Sequence, residues 1–150
     1  MIFVTVGNSK HDFHRMYYRV MNAQRAYEFK DETWVTQFRN AFSREDQLRH
    51  IDTADAVITH CGVGTLLDCW RAGHKPIVLP RLKSHCEHIS DHQVQLFTAL
   101  MASQRIFAMP PEPEKLYDVI QQAKAGRPWS FPTDTHLVDV VAEQIEELIG

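Results

Sequence analysis

Two glycines separated by a single residue stand between an apolar run and a segment of helical spacing, in the order His60-Cys61-Gly62-Val63-Gly64-Thr65. At the positive end of a helix, such glycines let an anion approach the backbone amides closely, and phosphate is the natural guest. Tight strand-to-helix packing would ask for the same glycines, and the run is neither a P-loop nor GxGxxG. Asp68 lies one turn further on, within reach of the ribose hydroxyls of a nucleotide held there; an exposed helix carboxylate is the other reading. Gly7-Asn8-Ser9 offers a second turn with free amides, or simply a turn.

A second concentration of chemistry is His85-Cys86-Glu87-His88-Ile89-Ser90-Asp91-His92-Gln93. Its imidazoles, with Cys86 or Asp91, have the content of a zinc site, but the spacing fits neither HExxH nor a finger. The same residue types hydrogen-bond a hydroxyl-rich ligand without metal. A Cys–His nucleophile is conceivable at Cys61 beside His60 or at Cys86, though no third group orients either pair.

The elements that must position these residues follow from periodicity. Ile2 to Val6, Trp34 to Phe38, Ala56 to Thr59, Pro76 to Pro80 and Arg105 to Met109 read as short strands. Between them, helical spacing runs from Asp12 towards Phe29, from Ser43 to Ile51, from the glycine turn to Gly73, from Asp91 to Ser103 and from Glu112 to Lys124. Gly126-Arg127-Pro128 and Pro132 precede a last amphipathic helix, Asp134 to Ile149, which packs on its own sheet or swings onto a partner. Strands alternating with helices predict right-handed crossovers and a doubly wound parallel sheet. In that α/β fold a ligand sits beyond the carboxyl ends of the strands. Both clusters fall there.

Bulk properties narrow the function classes. At 150 residues, 44% hydrophobic and 23% charged, the chain suits one globular domain. Sixteen basic against nineteen acidic side chains, net −3, disfavour nucleic acid as a partner. No stretch is long enough to cross a membrane and the opening run is not a secretory signal, so a soluble, cytoplasmic protein is expected. Three cysteines without a CxxC pair fit a reducing compartment.

Taken together, Phe3-Val4-Thr5-Val6-Gly7, the run from Ala54 to Thr65, Pro76-Ile77-Val78-Leu79-Pro80-Arg81 and His85 to Gln93 resemble the family 28 glycosyltransferase C-terminal domain, over about Met1 to Ile120. The likeness is greatest to its short stand-alone members, the donor-binding halves of split GT-B enzymes. It implies a UDP-sugar donor and a membrane-associated partner subunit that presents a lipid-linked acceptor. By that resemblance Gly62, Val63, Gly64 and Thr65 hold the diphosphate behind His60, with Gly7 and Asn8 opposite. Asp68 binds ribose, Phe42 sits near the uracil, and Glu87, Asp91, His92 and Gln93 contact the donor sugar. No metal or cofactor is implied, and the general base comes from the partner. The sequence departs from the family's wording at Asn8, at Cys61 and after strand two. Two other readings stand beside this one: a non-catalytic subunit that stabilises or enhances such an enzyme, and a zinc hydrolase built on the histidine loop.

Overall fold

A computed structural model describes residues 1–7, 11–38 and 42–130. Five strands form one wholly parallel sheet in the order β2-β1-β3-β4-β5. They are β1 (Ile2–Thr5), β2 (Trp34–Gln37), β3 (Ala56–Thr59), β4 (Ile77–Val78) and β5 (Phe107–Ala108). The helices are α1 (His14–Arg25), α2 (Arg44–Thr53), α3 (Val63–Arg71), α4 (His92–Ala102) and α5 (Pro113–Ala125). The expected Rossmann-like doubly wound sheet is therefore the one observed. The expected helix from Asp134 to Ile149 lies outside the described residues.

Side chains alternate between the faces of each strand, so β1 divides its residues between two cores. Ile2 and Val4 pack with Ala56, Ile58 and Ile77 under α1 and α5, through Met16, Val20, Leu116 and Ile120. Phe3 and Val57 face the other way, against Ile51 of α2 and Cys69 of α3. A third cluster joins Val78 to α3 and α4 through Leu66, Trp70, Leu96 and Leu100. Both faces of the sheet are thus covered, which is why its strands read as continuous apolar runs.

Several elements are shorter than periodicity suggests. The run Pro76 to Pro80 forms regular pairing only over Ile77–Val78, because each bracketing proline lacks an N–H for the ladder. α1 begins two residues later than expected, since the backbone of Phe13, its N-cap, is at φ −126° and ψ 65°, outside the helical region. α2 starts as expected, with the Ser43 hydroxyl accepting the Asp46 amide at 3.1 Å and Glu45 and Asp46 in the positive first turn.

Register brings the functional segments together. Thr5 at the end of β1 lies level with Gln37 on one side and Thr59 on the other. The carboxyl ends of β1, β2 and β3 therefore lie side by side at one edge of the sheet, with that of β4 next to them.

Candidate active site

At the centre of that edge stands His60, the residue directly after β3. Its side chain is buried, and Nδ1 lies 3.1 Å from the Thr59 hydroxyl. Burial, together with the nearby Arg81 guanidinium and His88, lowers its pKa from the ordinary imidazole value to about 3. The ring is neutral at physiological pH and can donate from only one nitrogen. Two turns close over it. Gly7 adopts φ +72°, a left-handed conformation that suits glycine, and a β-carbon there would stand 2.6 Å from His60 Nε2. A β-carbon on Gly62 would overlap the same nitrogen.

Gly64 differs in kind. A β-carbon on it would meet nothing within 4 Å, so packing does not require glycine at that position. It sits in the first turn of α3, whose N-terminal residue Gly62 provides no side-chain cap. The first amides of a helix have no partner inside it; here they are those of Val63, Gly64 and Thr65, and Gly64 is exposed. The two glycines thus separate the sequence's two readings: Gly62 makes room for a ring, and Gly64 leaves a helix end bare.

Asp68, on the same helix, is not the open carboxylate a ribose site would want. Its side chain is 4% exposed and engaged by the fork of Arg44, Nη1 to Oδ2 and Nη2 to Oδ1, each at 3.2 Å. Arg44 comes from the first turn of α2 and is itself 68% exposed. Arg71 approaches Asp68 at 4.0 Å. Phe42, in the loop before α2, stacks nearly parallel on Phe3 and lies 5.1 Å from the His50 ring. Asn8, the expected partner of Gly7, lies outside the described residues.

The loop after β4 is organised by a residue for which the sequence reading assigned no role. Arg81 is 1% exposed. Its guanidinium donates to the carbonyls of Val6 (2.8 Å), His11 (3.0 Å) and Glu87 (3.1 Å) and lies over the Phe13 ring at 4.6 Å. One side chain thereby ties the loop after β1 to the loop after β4. Glu87, expected among the sugar contacts, belongs to the same network. It is buried, takes Arg15 Nη2 at 2.7 Å and accepts the Leu82 amide at 3.0 Å. Gln93 is buried too, its oxygen accepting the Arg81 amide at 3.0 Å. Asp91 stays exposed at the start of α4 without capping it, and His92 is half-buried beside it. The only hint of Arg81's position was a cation directly behind an apolar strand, with an acidic residue six positions on.

The other chemistries fare differently. Burial pushes the Cys61 thiol up to about 12 and Cys69 higher still, so neither supplies a thiolate. His88 Nδ1 is taken up by the Ser90 amide and hydroxyl at 3.2 Å. Among the described residues no three His, Cys, Asp or Glu side chains are grouped so as to hold a metal ion.

Residues 16–136 match the glycosyltransferase family 28 C-terminal domain. The chain belongs to that family. No curated protein and no solved structure matches it. Membership gives this family 28 domain a nucleotide-sugar-binding role in glycosyl transfer. No described helix is long and apolar enough to cross a membrane.

Proposed function

We propose that this chain is the UDP-sugar-binding subunit of a two-component glycosyltransferase. It would transfer a hexose to a lipid-linked acceptor presented by a membrane-associated partner subunit. The observation that supports this most is the bare first turn of α3 at Gly64, beside a neutral imidazole roofed by two glycines. In this reading the amides of Val63, Gly64 and Thr65 receive the diphosphate, with His60, Gly7 and Asn8 completing the cradle. As the glycosidic bond to UDP breaks, negative charge grows on the leaving phosphate, and fixed amides aimed at it stabilise that charge without reorganising. Phe42 would flank the uracil. Asp68 would receive the ribose hydroxyls once Arg44 has moved. The hexose would lie against Asp91, His92 and Gln93, with Glu87 holding the loop behind them. The base that activates the acceptor hydroxyl would come from the partner.

Calorimetric titration with UDP tests the reading. Wild-type protein should bind, and Gly64→Trp, whose indole would cover the helix end, should not. No binding by the wild type at any accessible concentration overturns it.

The closed Arg44–Asp68 pair favours a second reading, a subunit that keeps the fold and stabilises its partner without binding donor. That reading wins if Asp68→Ala and Gln93→Ala leave glycan synthesis intact while loss of the chain removes the partner.

A further inference from the structure

Among the described helices, α4 stands apart: from His92 to Ala102 it carries no Lys, Arg, Asp or Glu. A helix with a face in water ordinarily places its charges there, and one that is apolar on more than one side is covered on more than one side. Gln93, Leu96 and Leu100 fill the face that α4 buries. Val94, Phe97 and Met101, at spacings of three and four, form a second stripe, with Val94 and Phe97 half-buried and Met101 37% exposed. Phe97 packs against the cluster that contains Leu66, Trp70, Leu96 and Leu100, and so does Trp129.

The chain itself supplies a cover for this stripe. α5 packs on the face of the sheet that holds Ile2 and Val4. Just beyond it, Arg127 donates to the carbonyls of Ala54 and Ala72, and the Trp129 amide donates to that of Gly73 at 2.8 Å. By Trp129 the chain has therefore crossed to the face that holds α3 and α4. Residues 131–150 follow from there. In their sequence Leu137, Val141, Ile145 and Leu148 recur at spacings of four, four and three, with Val138 and Ile149 alongside, while Asp139, Glu143, Glu146 and Glu147 fall on the other side of the helical pattern.

Lengths agree. As a helix, the segment from Asp134 to Ile149 is about 24 Å long, against about 16 Å for α4, so it can span the whole stripe. The five residues from Trp129 to Asp134 reach about 17 Å when extended, more than the roughly 10 Å between packed helix axes. So short a tether holds the segment at an effective concentration on the order of millimolar, which a second copy of the chain at micromolar concentration does not match. The exposed Tyr17 and Tyr18 are a poorer seat, because they belong to α1, which packs on the opposite face and carries Arg15, Arg19 and Arg25. We propose that residues 134–149 form a helix that docks on α4, with Leu137, Val141, Ile145 and Leu148 covering Val94, Phe97 and Met101. α4 begins at His92 and Gln93, so the docked helix would brace the element behind the proposed hexose contacts. That consequence rests on the glycosyltransferase reading above; the docking does not.

Two measurements on the full chain without UDP test the docking. One is amide hydrogen exchange read by mass spectrometry. The other is thiol labelling of Met101→Cys in a Cys86→Ser background, where the remaining cysteines, Cys61 and Cys69, are buried. The amides of residues 137–148 should exchange at least tenfold more slowly than in the unfolded chain, at every protein concentration. Val141→Asp and Ile145→Asp should each abolish that protection and speed labelling at position 101 at least tenfold, whereas Glu143→Gln should change neither. An unprotected segment overturns the proposal, including one that becomes protected only when another protein is added. Protection that rises with the concentration of the chain overturns it in favour of a second copy. Labelling that neither aspartate variant alters overturns it too, since a helix packed elsewhere would leave position 101 unchanged. Should circular dichroism show that one aspartate variant does not fold, the other decides. Loss of UDP binding would leave both readouts as they are, so the donor reading and the docking fail separately.

Discussion

The imidazole of His60 fills the space that a β-carbon on Gly62 would occupy. A methyl group at residue 62 must displace a buried ring that is also covered by Gly7. Gly62→Ala should therefore destabilise the fold by about 1–3 kcal/mol, measured by urea unfolding. The penalty should shrink in a His60→Ala background, because the clash requires both groups. Additive costs in the double-mutant cycle would show that the two residues do not compete for space.

The same burial makes stability pH-dependent. His60 titrates at about 3 in the folded protein and near 6.5 when unfolded, so between these values the unfolded chain binds the extra proton. Stability is then complete above pH 6.5 and falls towards pH 3, by about 1.4 kcal/mol per pH unit for this one group. His74, whose pKa burial also lowers, acts in the same direction. His60→Gln should flatten the curve of unfolding free energy against pH, and an unchanged slope would contradict the assignment.

Gly64 separates stability from binding. With open space around its missing β-carbon, Gly64→Ala should stabilise α3 by about 0.5–1 kcal/mol. It should nevertheless weaken UDP binding, because in the proposed function the new methyl group stands where the phosphate approaches. A thermal melt and a UDP titration on one sample check both halves. A variant that gains stability and keeps its affinity would mean that the helix end is not the anion site.

Arg44 and ribose compete for Asp68 in the proposed function. Removing an ion-pair partner that is mostly solvent-exposed relieves about 1 kcal/mol of competition, so Arg44→Ala should bind UDP about fivefold more tightly. Asp68→Asn should bind it about tenfold or more weakly, by loss of charged hydrogen bonds. Inorganic pyrophosphate, which has no ribose, should bind both variants like the wild type. Equal UDP affinity across all three proteins would remove Asp68 from the site.

Much of the architecture was legible along the chain. Apolar runs such as Ala56 to Thr59, alternating with segments of helical spacing, already implied the parallel sheet, and Ser43 with its acidic followers marked the start of α2. Edge details were less so: β4 and β5 are two residues each, because strand length depends on which neighbour's carbonyls come within reach. Among the candidate residues, the glycine turn after β3 could be placed at the sheet's carboxyl edge from order alone.

What the sequence determined by itself is therefore the order of elements and the end of the sheet at which ligands gather, since hydrophobic period and turn chemistry are local. Only the tertiary structure decided that Gly7 and Gly62 close on one imidazole, that Arg81 lies buried between two loops, and that Arg44 covers Asp68. Each of these joins residues far apart along the chain. Their contacts depend on strand register and helix packing, which no local pattern encodes.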